Sequence, residues 1–458
     1  MNWKNKSILR LIDETGEIDP VSAIRERARR LVIEAFEKGW EGPPYNPIDL
    51  AKLLNVEIIP NDSVNDARIV GFKKNQFKIE YNPFQNPNRI NFSIAHEIGH
   101  TLFSDCDEEI RNRELNNNFD WELEFLCNVA ASEILLPYAS FSNEANNCDL
   151  TIESLIDISN KYKASLESVF LRFTEVVDKP CGVIIGAFKK ENSIIVEYFK
   201  ASRFLKLEIP KKFRIPSHSK VYESKRPGWT SRNIEEWDIF KGQKLTLYSI
   251  GLTPLKKDMT QRVGIFLVPN ESNLTNQENK IILEFGDATK PRGEGKKIIV
   301  QIVNTYAGMG LGFGKSLSKN YPLVKKKLDE WKTNKTNFKL GNIQLIKIED
   351  DLFICQMLAQ KGLYPKPGEV PLKYSSLRKC LIKLSEEAIK LKASIHMPQI
   401  GAGQAKGDWN IIQGMIHDEL ISRNLEVNVY LLAGTIYSSK LKSNLTLFKE
   451  ESTWQKEK

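Results

Sequence analysis

From 21 to 38 the apolar positions Ile24, Ala28, Leu31, Val32, Ala35 and Phe36 recur at helical spacing behind Asp19-Pro20, which predicts an amphipathic helix. A short helix is expected at 47–54 and strands at 56–59 and 77–81. Two further apolar-periodic helices follow at 90–103 and 122–136. The second is closed by Pro137, which has no amide to donate. Residues 151–177 continue the helical pattern. At Lys179-Pro180 the texture changes to short β-branched runs, 181–188, 193–199, 244–250 and 263–268, between turns rich in Gly, Pro and Lys. Residues 270–279 are polar and linker-like. Strands and helices then alternate through 281–285, 298–303, 317–331, 343–348, 352–357, 375–391, 394–397, 409–422 and 427–432, a pattern that predicts a mixed or parallel sheet with helical crossovers.

A chain of 458 residues exceeds what one core supports, so two or three domains are expected. The net charge of +8 is a mild bias that permits an anionic ligand without demanding one. The cysteines at 106, 127, 148, 181, 355 and 380 include no CxxC pair, which speaks against a disulfide framework and against a cysteine-only zinc site. The start, Met1-Asn2-Trp3-Lys4-Asn5-Lys6, lacks the apolar stretch of a secretion signal. No apolar run approaches the roughly 18 residues that span a bilayer. A cytoplasmic protein with no membrane partner is the expectation.

The chemistry concentrates first at His96-Glu97-Ile98-Gly99-His100, inside the predicted helix 90–103. Residues four apart share a helix face, so both imidazoles can reach one tetrahedral ion. Glu97, one step round, then stands beside an open coordination position as general base. Ile94, Ala95, Ile98, Leu102 and Phe103 make the helix a buried one, where two histidines require partners. A catalytic zinc needs a third protein ligand. The acidic residues at 105–109 follow the histidines too closely. Glu122 and Glu124 lie on the next helix and remain the candidates. Glu124 has the better case, because Asn128 and Ala131 on its face allow close approach and Asn128 can hydrogen-bond a ligand.

The stretch Arg89-Ile90-Asn91-Phe92-Ser93-Ile94-Ala95-His96-Glu97-Ile98-Gly99-His100 resembles the signature of the ImmA/IrrE metallopeptidases. So does Glu124-Phe125-Leu126-Cys127-Asn128-Val129-Ala130-Ala131-Ser132-Glu133-Ile134-Leu135-Leu136-Pro137, which has that family's Glu, small residue, Asn and Leu-Leu-Pro ending. Asp66-Ala67-Arg68 and Tyr81-Asn82-Pro83 match as well, and the resemblance runs over roughly 20–175. It implies Zn2+ as cofactor and a DNA-binding helix-turn-helix repressor as protein substrate, cleaved in a stress or phage-defence response. The group that would stabilise the oxyanion is not identifiable.

Glycine-rich turns carry the second signal. Gly286-Asp287-Ala288-Thr289 follows a predicted strand; the loop Asn304-Thr305-Tyr306-Ala307-Gly308-Met309-Gly310-Leu311-Gly312-Phe313 and the loop His396-Met397-Pro398-Gln399-Ile400-Gly401-Ala402-Gly403 each run from strand to helix. Such turns expose backbone amides at a positive helix end, which suits phosphate. Together they resemble macrodomains, the ADP-ribose-binding fold, over about 279–435. The resemblance implies that Asp287 accepts from the adenine amino group, that Gly308, Gly310, Gly312 and Phe313 wrap the diphosphate and distal ribose with Ile400, Gly401, Ala402 and Gly403, and that Asn304 belongs to the site. The asparagine pair of hydrolytic macrodomains is reduced to Asn304, and Ala405 stands where terminal-ADP-ribose glycohydrolases carry an aspartate, with Asp408 three residues on. Binding is therefore expected rather than hydrolysis.

The fold class expected is multidomain, α+β and α/β: a mainly helical zincin-like peptidase domain at 1–178, a β-rich middle domain and linker at 179–275, a three-layer α/β/α macrodomain at 276–440 and a tail at 441–458. The function expected is zinc-dependent endoproteolysis with a macrodomain that senses ADP-ribose or a related nucleotide. The alternative is an ADP-ribose-processing hydrolase whose metal module serves targeting. No direct nucleic-acid partner is expected, and homo-oligomerisation is left open.

Overall fold

The computed structural model describes residues 3–17, 19–73, 76–107, 120–189, 193–254, 260–269, 281–335, 337–363 and 370–431. Two compact units divide the chain, Met1–Gln277 and Glu278–Lys458.

The first unit opens with α1 (Lys6–Thr15), α2 (Pro20–Glu37) and α3 (Pro47–Leu53). Asp19 caps α2 by accepting from the Val21 and Ser22 amides, with Pro20 at the first helical position. Strands β1 (Glu57–Pro60), β2 (Ala67–Lys73) and β3 (Gln76–Tyr81) form a sheet in the order β1-β3-β2, so β2 is an edge. Next come α4 (Pro87–His100) and α5 (Trp121–Leu135), capped by Asn86 and Asp120. A buried cluster of Ile8, Leu11, Ala23, Ile24, Ala28, Leu123, Leu126, Cys127 and Ala130 joins α1, α2 and α5. Full burial of each large aliphatic side chain here stabilises by about 1.5–3 kcal/mol.

Helices α6 (Tyr138–Asn147), α7 (Ile152–Tyr162) and α8 (Leu166–Val176) complete the helical part. The helical pattern expected over 151–177 is realised as α7 and α8, divided where Lys163 turns left-handed at φ 51°. An antiparallel sheet follows, with β4 (Gly182–Lys189), β5 (Ser193–Ala201), β6 (Thr230–Glu235), β7 (Leu245–Leu252) and β8 (Arg262–Pro269) in the order β5-β4-β8-β7-β6. Ion pairs fasten it to the helices. Glu175 on α8 is held by Arg172, by Arg25 of α2 at 3.0 Å and by Lys200 of β5. Arg262 of β8 reaches Glu167 of α8 at 2.7 Å and Glu197 of β5 at 3.0 Å. Phe170 and Phe173 pack their rings on Phe266. The border expected between 178 and 179 therefore lies inside the first unit.

The second unit is a six-stranded sheet, β11-β12-β10-β13-β14-β9, parallel except for the β11–β12 pair. Its strands are β9 (Ile282–Phe285), β10 (Lys297–Asn304), β11 (Ile343–Lys347), β12 (Leu352–Gln360), β13 (Ser394–Pro398) and β14 (Val427–Leu431). Helices α9 (Gly312–Asn320) and α10 (Pro322–Asn334) cover one face through Leu317, Val324, Leu328 and Trp331, packed on Ile299, Val303, Ile354 and Leu358. Helices α11 (Tyr374–Leu391) and α12 (Trp409–Glu419) bring Leu377, Leu381, Leu384, Ile412 and Met415, all buried, to the three-layer arrangement. The one helix expected at 317–331 is two, because Pro322 lacks the amide a continuous helix would need. No described helix is long and apolar enough to cross a membrane.

Candidate metal centre and candidate ligand loops

Helix α4 turns Ile94, Ala95 and Ile98 into the core, which leaves His96 and His100 together on the face toward α5. The two helices meet closely at Gly99. A Cβ there would lie 3.1 Å from the Cys127 carbonyl oxygen and 3.2 Å from the Ala130 Cβ, so only glycine fits without displacement. Across this contact Glu124 sets one oxygen 2.9 Å from His96 Nε2 and the other 3.8 Å from His100 Nε2. The remaining ring nitrogens are engaged on their outer edges: His96 Nδ1 lies 2.9 Å from Asn128 Oδ1, and His100 Nδ1 lies 3.2 Å from Cys127 Sγ. Glu122, two residues from Glu124 and so on another face of α5, accepts from the Lys4 and Asn5 amides at 2.8 Å each. The geometry brings Glu124 to the histidines and Glu122 to the amino-terminal segment.

Burial alone would lower the His96 pKa. The Glu124 carboxylate against Nε2, the nearby Glu97 charge and Asn128 overcome it and hold this imidazole above its ordinary value. Glu97 is buried, and its Oε2 accepts from the Ile69 amide of β2 at 2.9 Å. Arg89, near the start of α4, pairs with both oxygens of Asp66 just before β2, which fixes the strand against the helix. Two imidazoles and a carboxylate converging across one helix contact make a donor set that fits a zinc ion. A second grouping is also present, since donor atoms of His96, His100 and Cys127 lie within 4.8 Å of one another. Sequence reasoning quoted Cys127 without giving it a role; its place three residues after Glu124, a helical turn on, was the available signal.

In the second unit the three glycine-containing turns follow β9, β10 and β13, parallel strands whose carboxyl ends point the same way. Ligands of open α/β sheets bind at that end. Asp287 accepts from the Thr289 amide at 2.9 Å, which shapes the turn after β9. Gly308, Gly310 and Gly312 lie in the loop between β10 and α9, flanked by the exposed side chains of Tyr306 and Leu311, with Phe313 packed against the core. The α9 amino end has no side-chain cap, a place where an anion could take the cap's part. Asn304 points into this loop: its Oδ1 accepts from the Tyr306 and Gly308 amides at 3.0 Å each, and its Nδ2 donates to the Gly308 carbonyl at 3.2 Å. In the second loop Ile400 is buried, while Gly401, Ala402 and Gly403 turn toward α12. Gly401 has φ 74°, and a Cβ on it would press on Ile412, Leu372 and Ile302 at 3.1–3.2 Å. Asp408 caps α12 by accepting from Asn410 at 2.7 Å. His396 is buried beneath the loop between Ser394 and Tyr430, and burial pushes its pKa down to about 4.

Residues 54–174 match the family model of the IrrE N-terminal-like domain, Peptidase M78. The chain is similar to the radiation response metalloprotease IrrE of Deinococcus radiodurans, 27% identical over 119 residues, which are 24% of this chain and 36% of that protein. It is also similar to an uncharacterised 17.5 kDa protein of the tk-vs intergenic region of Enterobacteria phage T4, 32% identical over 146 residues, 31% of this chain and 90% of that protein. Among solved structures, a macrodomain protein from Streptomyces coelicolor is 29% identical and covers 33% of this chain and 99% of its own, with a TM-score of 0.30.

Proposed function

Because residues 54–174 carry an IrrE-like domain of the M78 peptidase family, we propose that the first unit is a zinc-dependent endopeptidase whose metal is held by His96, His100 and Glu124. The observation that carries this reading is the wedge of the Glu124 carboxylate between the two Nε2 atoms. When bound, zinc supplies a Lewis acid for the scissile carbonyl and makes water acidic enough to attack near neutral pH. Glu97 takes the proton of the attacking water and passes it to the leaving amine, while the Ile69 amide keeps its side chain in place. Asn128 orients His96 from the outer edge of the ring. Strand β2 is an edge beside Glu97, which suits a substrate presented as an extended segment. By the IrrE resemblance, that substrate is a DNA-binding repressor and the setting a stress or phage-defence response in the cytoplasm.

The second unit takes ADP-ribose or a related nucleotide at the carboxyl ends of β9, β10 and β13. Asp287 meets the adenine; Gly308, Gly310, Gly312, Phe313 and the 400–403 loop enclose the diphosphate and distal ribose. Asn304 serves by bracing its loop. Binding is favoured over hydrolysis because Ala405 has no carboxylate and Asp408 is engaged in capping α12.

The test is metal analysis and repressor cleavage by the full chain, with and without ADP-ribose, beside Glu97→Gln and Glu124→Ala. One zinc per chain and cleavage at least about 100-fold slower in Glu97→Gln sustain the reading; cleavage at the wild-type rate in Glu97→Gln rejects it. Calorimetry with ADP-ribose tests the second unit separately, and absence of heat at millimolar ligand rejects that part.

A further inference from the structure

Cys127 is fully buried, and its sulfur lies 3.2 Å from Nδ1 of His100, which is itself 4% exposed. The close meeting of α4 and α5 at Gly99 produces this contact, since the Cys127 backbone is what a Gly99 Cβ would strike. The Nε2 edge of the same ring faces Glu124. An ion on Nε2 would sit about 2 Å beyond that nitrogen, across the ring from the sulfur, and one ion could not bond to both. A neutral imidazole that donates its Nε2 lone pair carries its proton on Nδ1, and that proton needs an acceptor. Asn128 stands in the same relation to His96, so two consecutive residues of α5 serve the outer edges of the two rings.

The geometry points to Cys127 as a positioning residue: its sulfur accepts the Nδ1–H of His100 and holds that imidazole in the tautomer and orientation that aim Nε2 at Glu124 and His96. This rests on the metal reading given above, in which Glu124 and the two Nε2 atoms form the donor set. It also separates the two groupings at the site, because the sulfur then acts through His100 and is not itself a ligand.

The experiment uses the full chain as wild type, Cys127→Ser, Cys127→Ala and Glu124→Ala. Zinc affinity is read by competition with a chelating dye, the near-ultraviolet spectrum is recorded after loading with Co2+, and thermal unfolding of the metal-free forms checks the fold. The serine variant keeps an acceptor and should bind zinc close to wild type. Alanine removes the acceptor and should weaken zinc binding about 10–100-fold, with metal-free unfolding no lower than that of the serine form. Wild type loaded with Co2+ should show no sulfur-to-metal charge-transfer band. Such a band, lost in Cys127→Ser, would make the sulfur a ligand and overturn the inference. Equal zinc affinity in wild type and Cys127→Ala, or equal weakening in Ser and Ala, would overturn it too. Failure of the metal reading looks different: wild type and Glu124→Ala would then bind zinc alike.

Discussion

The candidate site of the first unit is made of side chains, and that of the second is made of backbone. On α4 and α5, two imidazoles and a carboxylate converge, with the Cys127 sulfur close by. After β10 and β13, the candidate loops are glycine-rich turns, closely packed at Gly401 and braced where Asn304 accepts from the Gly308 amide. The two kinds of site should therefore fail in opposite ways. One is lost by removing atoms, the other by adding them.

The largest effect should come from Glu97→Gln, which leaves the donor set intact and removes the base. Peptide cleavage should fall by about 10²–10⁴-fold with zinc content unchanged, as measured by turnover and metal analysis on the same preparation. In the second unit the matching perturbation is an added methyl. Gly401→Ala, at φ 74° and against Ile412 and Leu372, should destabilise that unit by about 1–3 kcal/mol. Gly403→Ala meets nothing within 4 Å and should unfold within about 0.5 kcal/mol of wild type. Any loss of ADP-ribose affinity in Gly403→Ala then reports the ligand contact itself, by calorimetry. Gly99→Ala marks the limit of the contrast, because here an added methyl should harm even the side-chain site by pushing α5 away. A destabilisation of about 1–3 kcal/mol accompanied by weaker zinc binding is expected.

Smaller but separable is the response to acid. Burial holds His396 neutral, with its pKa lowered from 6.5 to about 4, so its share of stability is complete above pH 6.5 and disappears as pH falls through 4. For Glu175 burial opposes ionisation, but Arg172, Lys200 and Arg25 prevail and lower it from 4.5 to about 2. Its share is complete above pH 4.5 and is lost toward pH 2. Region-resolved hydrogen exchange on acidification should show β13 loosening first and α8 later. The reverse order would contradict the contrast.

What could be read from the sequence follows the same division. Helix periodicity fixes which residues share a face, so the sequence sets His96 and His100 together on α4, and the structure brings Glu124 of the next helix beside both rings. The macrodomain resemblance implies Asn304 among the ligand contacts; the structure shows its amide bracing its own loop. Backbone-built sites give sequence only the outline of a turn, without the hydrogen bonds that fill it. Other elements have no expectation from the sequence: α1, despite its apolar face of Ile8, Leu11 and Ile12, the short α6, the edge strand β2 and the polar edge strand β6. β2 matters most, since the Ile69 amide holds the base. Its position depends on Arg89 and Asp66, a long-range pairing that local periodicity does not encode.

The binding of α8 to the antiparallel sheet limits where this polypeptide can be shortened. A protein ended after Asp178 would keep Glu167 and Glu175 but lose Arg262 and Lys200, and would open the Phe170 and Phe173 rings to water. Such a fragment would be prone to aggregate before any catalytic question could be asked of it. The two halves should instead be separated in the polar stretch of the 270s, where the contact boundary falls.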